Sequence, residues 1–338
     1  MEFHLVYTLA RRRTLTSLAA VGAAVSIALT GCSSTESTAD TTATESTGFP
    51  RTVEHFRGVA NIDAEPQRIV TLDNSYADAV LLLESPLVGF VDYREQGLPD
   101  YLGDARDRFA ADAVSVGKVQ NVSLEKVAQL EPDLVLSAEV RDGKNYEALS
   151  ALAPTVFSQS TGPTWKDNIR LVAKALGKED LAEQKIGDYE ARAKAIGDEI
   201  NAKANNPTVS VVRFAGEPTA RLYRTTSFSG IVLADAGLAR PASQQADPAD
   251  AGSIMNSISP ERLADAEADV IFVATYEDPE GKSIKAAEAF RQNPLWGTLK
   301  GRIVEVDDAM WMTPVSIQGA HKILDDLAEA FGVDPHNG

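Results

Sequence analysis

Residues 122–138 read VSLEKVAQLEPDLVLSA, and residues 258–274, at an offset of 136, read ISPERLADAEADVIFVA. Without a gap, six of the seventeen positions are identical and five more are conservative exchanges. A segment carried twice implies that one local unit is built twice, and each copy has the pattern of a helix followed by a buried strand. Ser123 and Ser259 stand where an N-cap is wanted, and Pro260 suits a first helical position. Glu125 and Glu261 fall in the first turn, where a carboxylate meets the positive end of the helix dipole, worth about 0.3 to 1 kcal/mol. Helix stability alone would account for both glutamates.

The chain around the two copies has the same rhythm. From Arg68 onward short apolar runs alternate with helical patterns, which is how a parallel α/β sheet is written. The strands expected first are 68–72, 87–91, 113–117, 133–138 and 154–158, with helices at about 75–84, 123–130 and 144–152. A second series follows, with strands at 208–214, 220–224, 269–274 and 302–307 and helices at about 229–237, 259–266, 283–292 and 315–331. Between the series, Lys178 to Lys203 contains no proline. Ala182, Ile186, Tyr189, Ala193, Ile196 and Ile200 there recur at spacings of four and three, an apolar stripe on one helix face. At 1.5 Å per residue this helix spans roughly 35 to 40 Å, enough to cross from one lobe to the other.

The first 31 residues are set aside as a targeting segment. Arg11, Arg12 and Arg13 give a positive start, and Leu15 to Leu29 is an apolar stretch short of the ~20 residues that span a bilayer. It ends in Leu29-Thr30-Gly31-Cys32, which resembles the lipobox of bacterial lipoproteins, where a lipid is attached to the cysteine. Cys32 is the only cysteine in 338 residues, so no disulfide can form within the chain. Export by the general secretory or the twin-arginine route is left open. Residues 32–50 are Ser/Thr-rich and read as a flexible spacer. Residues 1–31 carry three arginines and one glutamate, so their removal takes the net charge from -17 to -19. So anionic a surface argues against nucleic acid as a partner.

The two repeated segments, the long helix between them, and the closing run NPLWGTLKGRIVEVDDAMWMTPVSIQGAHKILDDLAEAF together resemble the ferric-siderophore and cobalamin binding proteins of ABC importers, over residues 51 to 334. The resemblance implies an α/β fold of two Rossmann-like lobes bridged by a single long α-helix, the class III periplasmic-binding-protein fold. The lobes would be 51–164 and 206–338, with 165–205 as the connecting helical segment. The ligand would lie between the lobes, with little opening at the hinge. The same resemblance makes Glu125 and Glu261 the carboxylates that dock onto arginines of an ABC permease dimer with its ATPase. Two equivalent anionic points suit a two-fold symmetric partner.

Doubly wound lobes bind ligands beyond the carboxyl ends of their strands. Tyr93 and Arg94 follow one strand, and Lys118 the next; Arg213 closes a strand of the second series, and Arg221, Tyr223 and Arg224 lie in its successor. Tyr276 and Trp311 follow the last two. This cationic and aromatic set suits an iron chelate, with guanidinium and ammonium donors on its oxygens and aromatic faces over its scaffold. By resemblance, basic residues near Lys118 and Arg213 and an aromatic near Trp311 lead, with Tyr93 and Arg94. Each arginine could instead be a solvated surface pair, Arg221 and Tyr223 could occupy opposite faces of their strand, and Trp165 could be core.

Direct metal ligation is not expected, because His55, His321 and His336 have no ligand spacing. Iron would arrive only as its siderophore chelate, and no cofactor is implied. The segment DVIFVATYEDPEGKSIKAAEAF mimics a phosphate loop, but its first glycine would fall at Tyr276, and Glu277, Asp278 and Glu280 would repel phosphate. No GxSxG, HExxH or GxGxxG occurs. The chain is therefore expected to be no enzyme but a monomeric, extracytoplasmic, lipid-anchored binding protein for iron uptake. Cobalamin or haem is the alternative ligand, and a lipid-anchored α/β enzyme the distant one.

Overall fold

The apolar runs form two separate sheets in a computed structural model that describes residues 48–93, 97–250 and 252–337. The leader, Cys32, residues 33–47 of the spacer, and Arg94 lie outside the described residues. A short hairpin comes first, β1 (Arg51–His55) and β2 (Gly58–Ile62), and Phe56 N at its tip donates to Phe157 O at 2.9 Å. The first sheet holds β3 (Ile69–Thr71), β4 (Leu87–Asp92), β5 (Val114–Lys118), β6 (Asn121–Val122), β7 (Leu134–Ala138) and β8 (Thr155–Ser158). Their order is β6-β5-β4-β3-β7-β8, and every pairing except β5 with β6 is parallel. Its helices are α1 (Asn74–Leu82), α2 (Gly103–Phe109), α3 (Leu124–Gln129), α4 (Glu139–Asp142), α5 (Tyr146–Ser150) and α6 (Trp165–Leu176).

After α7 (Glu179–Ala204) the second sheet holds β9 (Val209–Phe214), β10 (Ala220–Tyr223), β11 (Met255–Ile258), β12 (Val270–Thr275) and β13 (Arg302–Val306), in the order β11-β10-β9-β12-β13. Here the expectation of a wholly parallel sheet needs correction, because β10 runs antiparallel to both β9 and β11. The cause is local: only residues 215–219 separate β9 from β10, and Gly216 turns at φ +101°. A parallel return needs a crossover of a dozen residues or more. The helices of this lobe are α8 (Phe228–Asp235), α9 (Lys282–Gln292), α10 (Asp308–Met312) and α11 (Ile317–Phe331).

The repeated segment occupies equivalent places in the two lobes. β7 lies next to β3, and β12 next to β9, each parallel to its neighbour. The aspartate shared by the copies does the same work in both. Asp133 accepts from the backbone N–H groups of Gln67 and Arg68 at 2.7 and 2.8 Å, and Asp269 from Thr208 N at 2.7 Å. Each carboxylate thereby ties the start of the repeat strand to the start of its neighbour. The copies differ at the helix. Ser123 caps α3 by accepting from Lys126 N, whereas the second copy forms a 3-10 helix, Pro260–Ala266, with non-helical dihedrals at Arg262.

The apolar stripe of α7 is buried along its length: Ala182, Ile186, Tyr189, Ala193, Ile196 and Ile200 are all at most 1% exposed. At 26 residues the helix is roughly 39 Å long. It packs on α6 from the first lobe and on α8 and α11 from the second, so one continuous apolar core serves both lobes. Gly197 permits the closest approach, since a Cβ there would lie 1.6 Å from Ala236 O. Trp165 is 1% exposed at the start of α6, edge-on to Tyr189 and Phe228. Polar ties also cross between the lobes: Lys166 Nζ reaches Asp235 at 3.0 Å, and Gln318 Nε2 reaches Asp78 Oδ1 at 3.4 Å.

Candidate functional site

The carboxyl ends of β7 and β8 in one lobe face those of β9 and β13 in the other, and the space between holds a cavity of about 310 Å³. Arg141, Ser160 and Thr161 line it from the first lobe, and Arg213, Arg221 and Tyr223 from the second. Phe228, Ile254, Met312 and Val315 supply apolar wall. A second cavity of about 380 Å³ also spans the lobes, lined by Tyr93 and Tyr101 on one side and Asp307, Met310 and Thr313 on the other.

Strand geometry explains which predicted residues meet here. Side chains two apart in a strand share a face, so Arg221 and Tyr223 both point into the 310 Å³ cavity rather than to opposite faces. Arg213 joins them because it pairs with Arg221 across the β9–β10 ladder. Leu222 and Arg224 project to the other face, where they line a separate cavity of about 630 Å³. There Arg224 is buried, donating to Asn256 Oδ1 and to Asp250 O at 3.1 Å.

Each arginine of the interlobe cavity is held by a carboxylate. Arg213 forks onto both oxygens of Asp308, with Nη2 to Oδ2 at 3.0 Å, and its Nη1 donates to the Tyr223 hydroxyl at 3.0 Å. Arg221 bonds Glu217, and Arg141 Nε bonds Asp73 Oδ2 at 2.6 Å while its Nη2 reaches Thr161 Oγ1 at 3.4 Å. Asp73 also caps α1, accepting from Ser75 N at 3.0 Å. Asp73 and Asp308 are buried and Glu217 is partly exposed; none of the three lines the cavity, and they present the guanidinium groups in set orientations.

The remaining predicted residues lie apart or are differently used. Trp311 lines the cavity but is fully buried: its indole N–H donates to Asp326 Oδ2 at 2.7 Å, and its ring lies 4.8 Å from that of Phe272. Tyr276 is half-buried, its ring 5.9 Å from the Arg213 guanidinium carbon. Tyr93 is 42% exposed at the second cavity. Lys118, exposed at the end of β5, lines neither interlobe cavity. Glu125 and Glu261 are both exposed, one on each lobe; a hydrogen bond from the Ser259 hydroxyl holds the Glu261 carboxyl below its usual range.

Sequence reasoning passed over Arg141, the third residue beyond β7, because it took only residues directly following other strands. Its signal was a cation just past the carboxyl end of a buried strand. Asp73 and Asp308 left no local signal, since their arginines are 68 and 95 positions away. The phosphate-loop mimic is occupied by the chain itself: the Asp278 carboxylate accepts from the N–H groups of Glu280, Lys282 and Ser283 at the start of α9, which holds it well below the usual carboxylate range. Among the described residues no cluster of three or more His, Cys, Asp or Glu is arranged to hold a metal ion, and no helix is long and apolar enough to cross a membrane.

Comparisons with known proteins agree on one family. The family described as periplasmic binding protein matches residues 69–304. The probable siderophore-binding lipoprotein YfiY of Bacillus subtilis is 36% identical over 317 residues, covering 90% of this chain and 94% of its own. The Fe(3+) dicitrate-binding periplasmic protein FecB of Escherichia coli is 27% identical over 85% of this chain and 92% of its own. Among solved structures, Staphylococcus aureus SirA complexed with staphyloferrin B superposes with a TM-score of 0.75 at 27% identity, over 85% of this chain and 100% of that one.

Proposed function

This chain belongs to the periplasmic binding protein family, and on that footing we propose that it captures a ferric siderophore between its lobes and delivers it to an ABC permease for iron uptake. Members of the family bind solutes and hand them over rather than transforming them. The observation that carries the reading is the interlobe cavity, with Arg141 contributed by one lobe and Arg213 and Arg221 by the other, beside apolar and aromatic wall. Guanidinium groups in fixed orientation donate to the oxygens that surround ferric iron in a chelate, and the apolar wall covers the organic scaffold. A corrin or a haem would ask mainly for apolar faces. Iron is cargo here, already wrapped in its chelator.

Delivery would use Glu125 and Glu261, exposed on separate lobes, against the two halves of a permease dimer that is driven by its ATPase. A lipid on Cys32 would hold the protein as a monomer at the outer face of the membrane. Tryptophan fluorescence of the mature domain, titrated with ferric siderophores, cobalamin and haem, tests the reading, since Trp311 stands in the cavity wall. A ferric chelate is expected to bind more tightly than about 1 µM, some 8 kcal/mol. Binding of cobalamin or haem in that range with no ferric chelate doing so would overturn it.

A further inference from the structure

Three cations line the 310 Å³ cavity, and no carboxylate does so among its described lining residues. Yet each guanidinium is matched from behind: Arg141 by Asp73, Arg213 by Asp308, Arg221 by Glu217. Asp73 is 5% exposed and Asp308 3%, so neither is free to turn away to water. The adjoining cavity is faced by Asp100 and Asp307, of which Asp100 is paired with Arg106. Donor groups thus face the ligand while the summed charge of the cation–carboxylate sets is zero. A site of this kind recognises oxygens at hydrogen-bond range and offers little long-range attraction to a polyanion.

Resting on the siderophore reading above, we propose that Asp73, Asp308 and Glu217 are specificity-determining residues that select ferric chelates of low net charge. The matching class is the trihydroxamate type. Fe3+ held by three hydroxamates is uncharged, whereas held by three catecholates it carries three negative charges. The carboxylates lower affinity for the second class and leave the first nearly untouched. At a separation of about 10 Å in a medium as polar as water, one protein charge changes affinity about twofold per unit of ligand charge, hence about eightfold for a trianion. A drier cleft makes the factor larger.

Calorimetric titration tests this at low ionic strength, where the Debye length exceeds the cleft. The probes are an uncharged ferric trihydroxamate and a ferric tricatecholate, each against wild type, Glu217→Gln, Asp73→Asn and Glu183→Gln. Glu217 has a partly exposed side chain, and asparagine at 73 can still accept from Ser75 N–H, so both variants keep the fold. Glu183, which pairs with Arg170 on the helix surface, makes the same change in net charge away from the cleft. Wild type is expected to bind the trihydroxamate more tightly. Glu217→Gln and Asp73→Asn should each shift the affinity ratio toward the tricatecholate by about eightfold or more, and Glu183→Gln should leave it unchanged. Equal or tighter binding of the tricatecholate by wild type, or a ratio unmoved in both cleft variants, overturns the charge assignment alone. If wild type binds neither chelate, the siderophore reading beneath it falls as well.

Discussion

Replacing Asp78 by asparagine should remove part of the pH dependence of folding. Asp78 lies in α1 with no exposure, and its Oδ2 has no hydrogen-bond partner. The amide of Gln318, from α11 of the other lobe, reaches Oδ1 at 3.4 Å. Burial pushes the carboxyl up to about 7; Ser316, Gln318 and Tyr101 favour the ionised form but only partly offset that. In the unfolded chain the same group titrates near 3.8. Between these values the folded protein holds a proton that the unfolded chain has lost, so stability falls as pH rises from about 4 to about 7. Three units at 1.36 kcal/mol each amount to about 4 kcal/mol. Asparagine has no proton to lose. Urea denaturation of the mature domain at several pH values should therefore show the variant gaining on wild type by about 4 kcal/mol between pH 4 and pH 8. Other raised carboxyls, such as Asp142 and Asp326, cancel in the difference. A difference that stays constant across that range would mean that Asp78 does not titrate with a raised pKa in the folded protein.

Three further outcomes are expected. The pair Glu125→Ala and Glu261→Ala should abolish iron uptake in cells while the purified domain keeps its chelate affinity; lost affinity would contradict a docking role. Gly197→Ala should cost about 3 kcal/mol by denaturation, at the upper end of overpacking, because its methyl would collide with Ala236 O and part α7 from α8. Gly187→Ala on the same helix meets open space and should stabilise by up to about 1 kcal/mol.

What could be read from the chain follows from what is local in it. The stripe of α7 and the doubled helix-strand unit were legible because periodicity and self-similarity are properties of neighbours in sequence. The hairpin β1–β2 was not, since RTVEH and GVANI are too short and too exposed to show an apolar run. The reversed direction of β10 turned on the length of one loop. At the cleft, the rule of reading beyond strand ends led to Arg213, Arg221 and Tyr223, which the fold brings to one cavity. It also led to Arg224, which strand alternation sends to the other face. Glu217 stands only four positions before its arginine, but Asp73 and Asp308 meet Arg141 and Arg213 through contacts across the fold, and no window of sequence contains those pairs.

On the proposed function, a ferric chelate is gripped by both lobes at once. Hydrogen exchange of backbone amides, with and without a bound ferric siderophore, reads this directly. Exchange is expected to slow together in 139–142 and 160–163 of the first lobe and in 213–223 of the second. Slowing confined to one lobe, or centred on the residues around Arg224 and Ser243 instead, would contradict it.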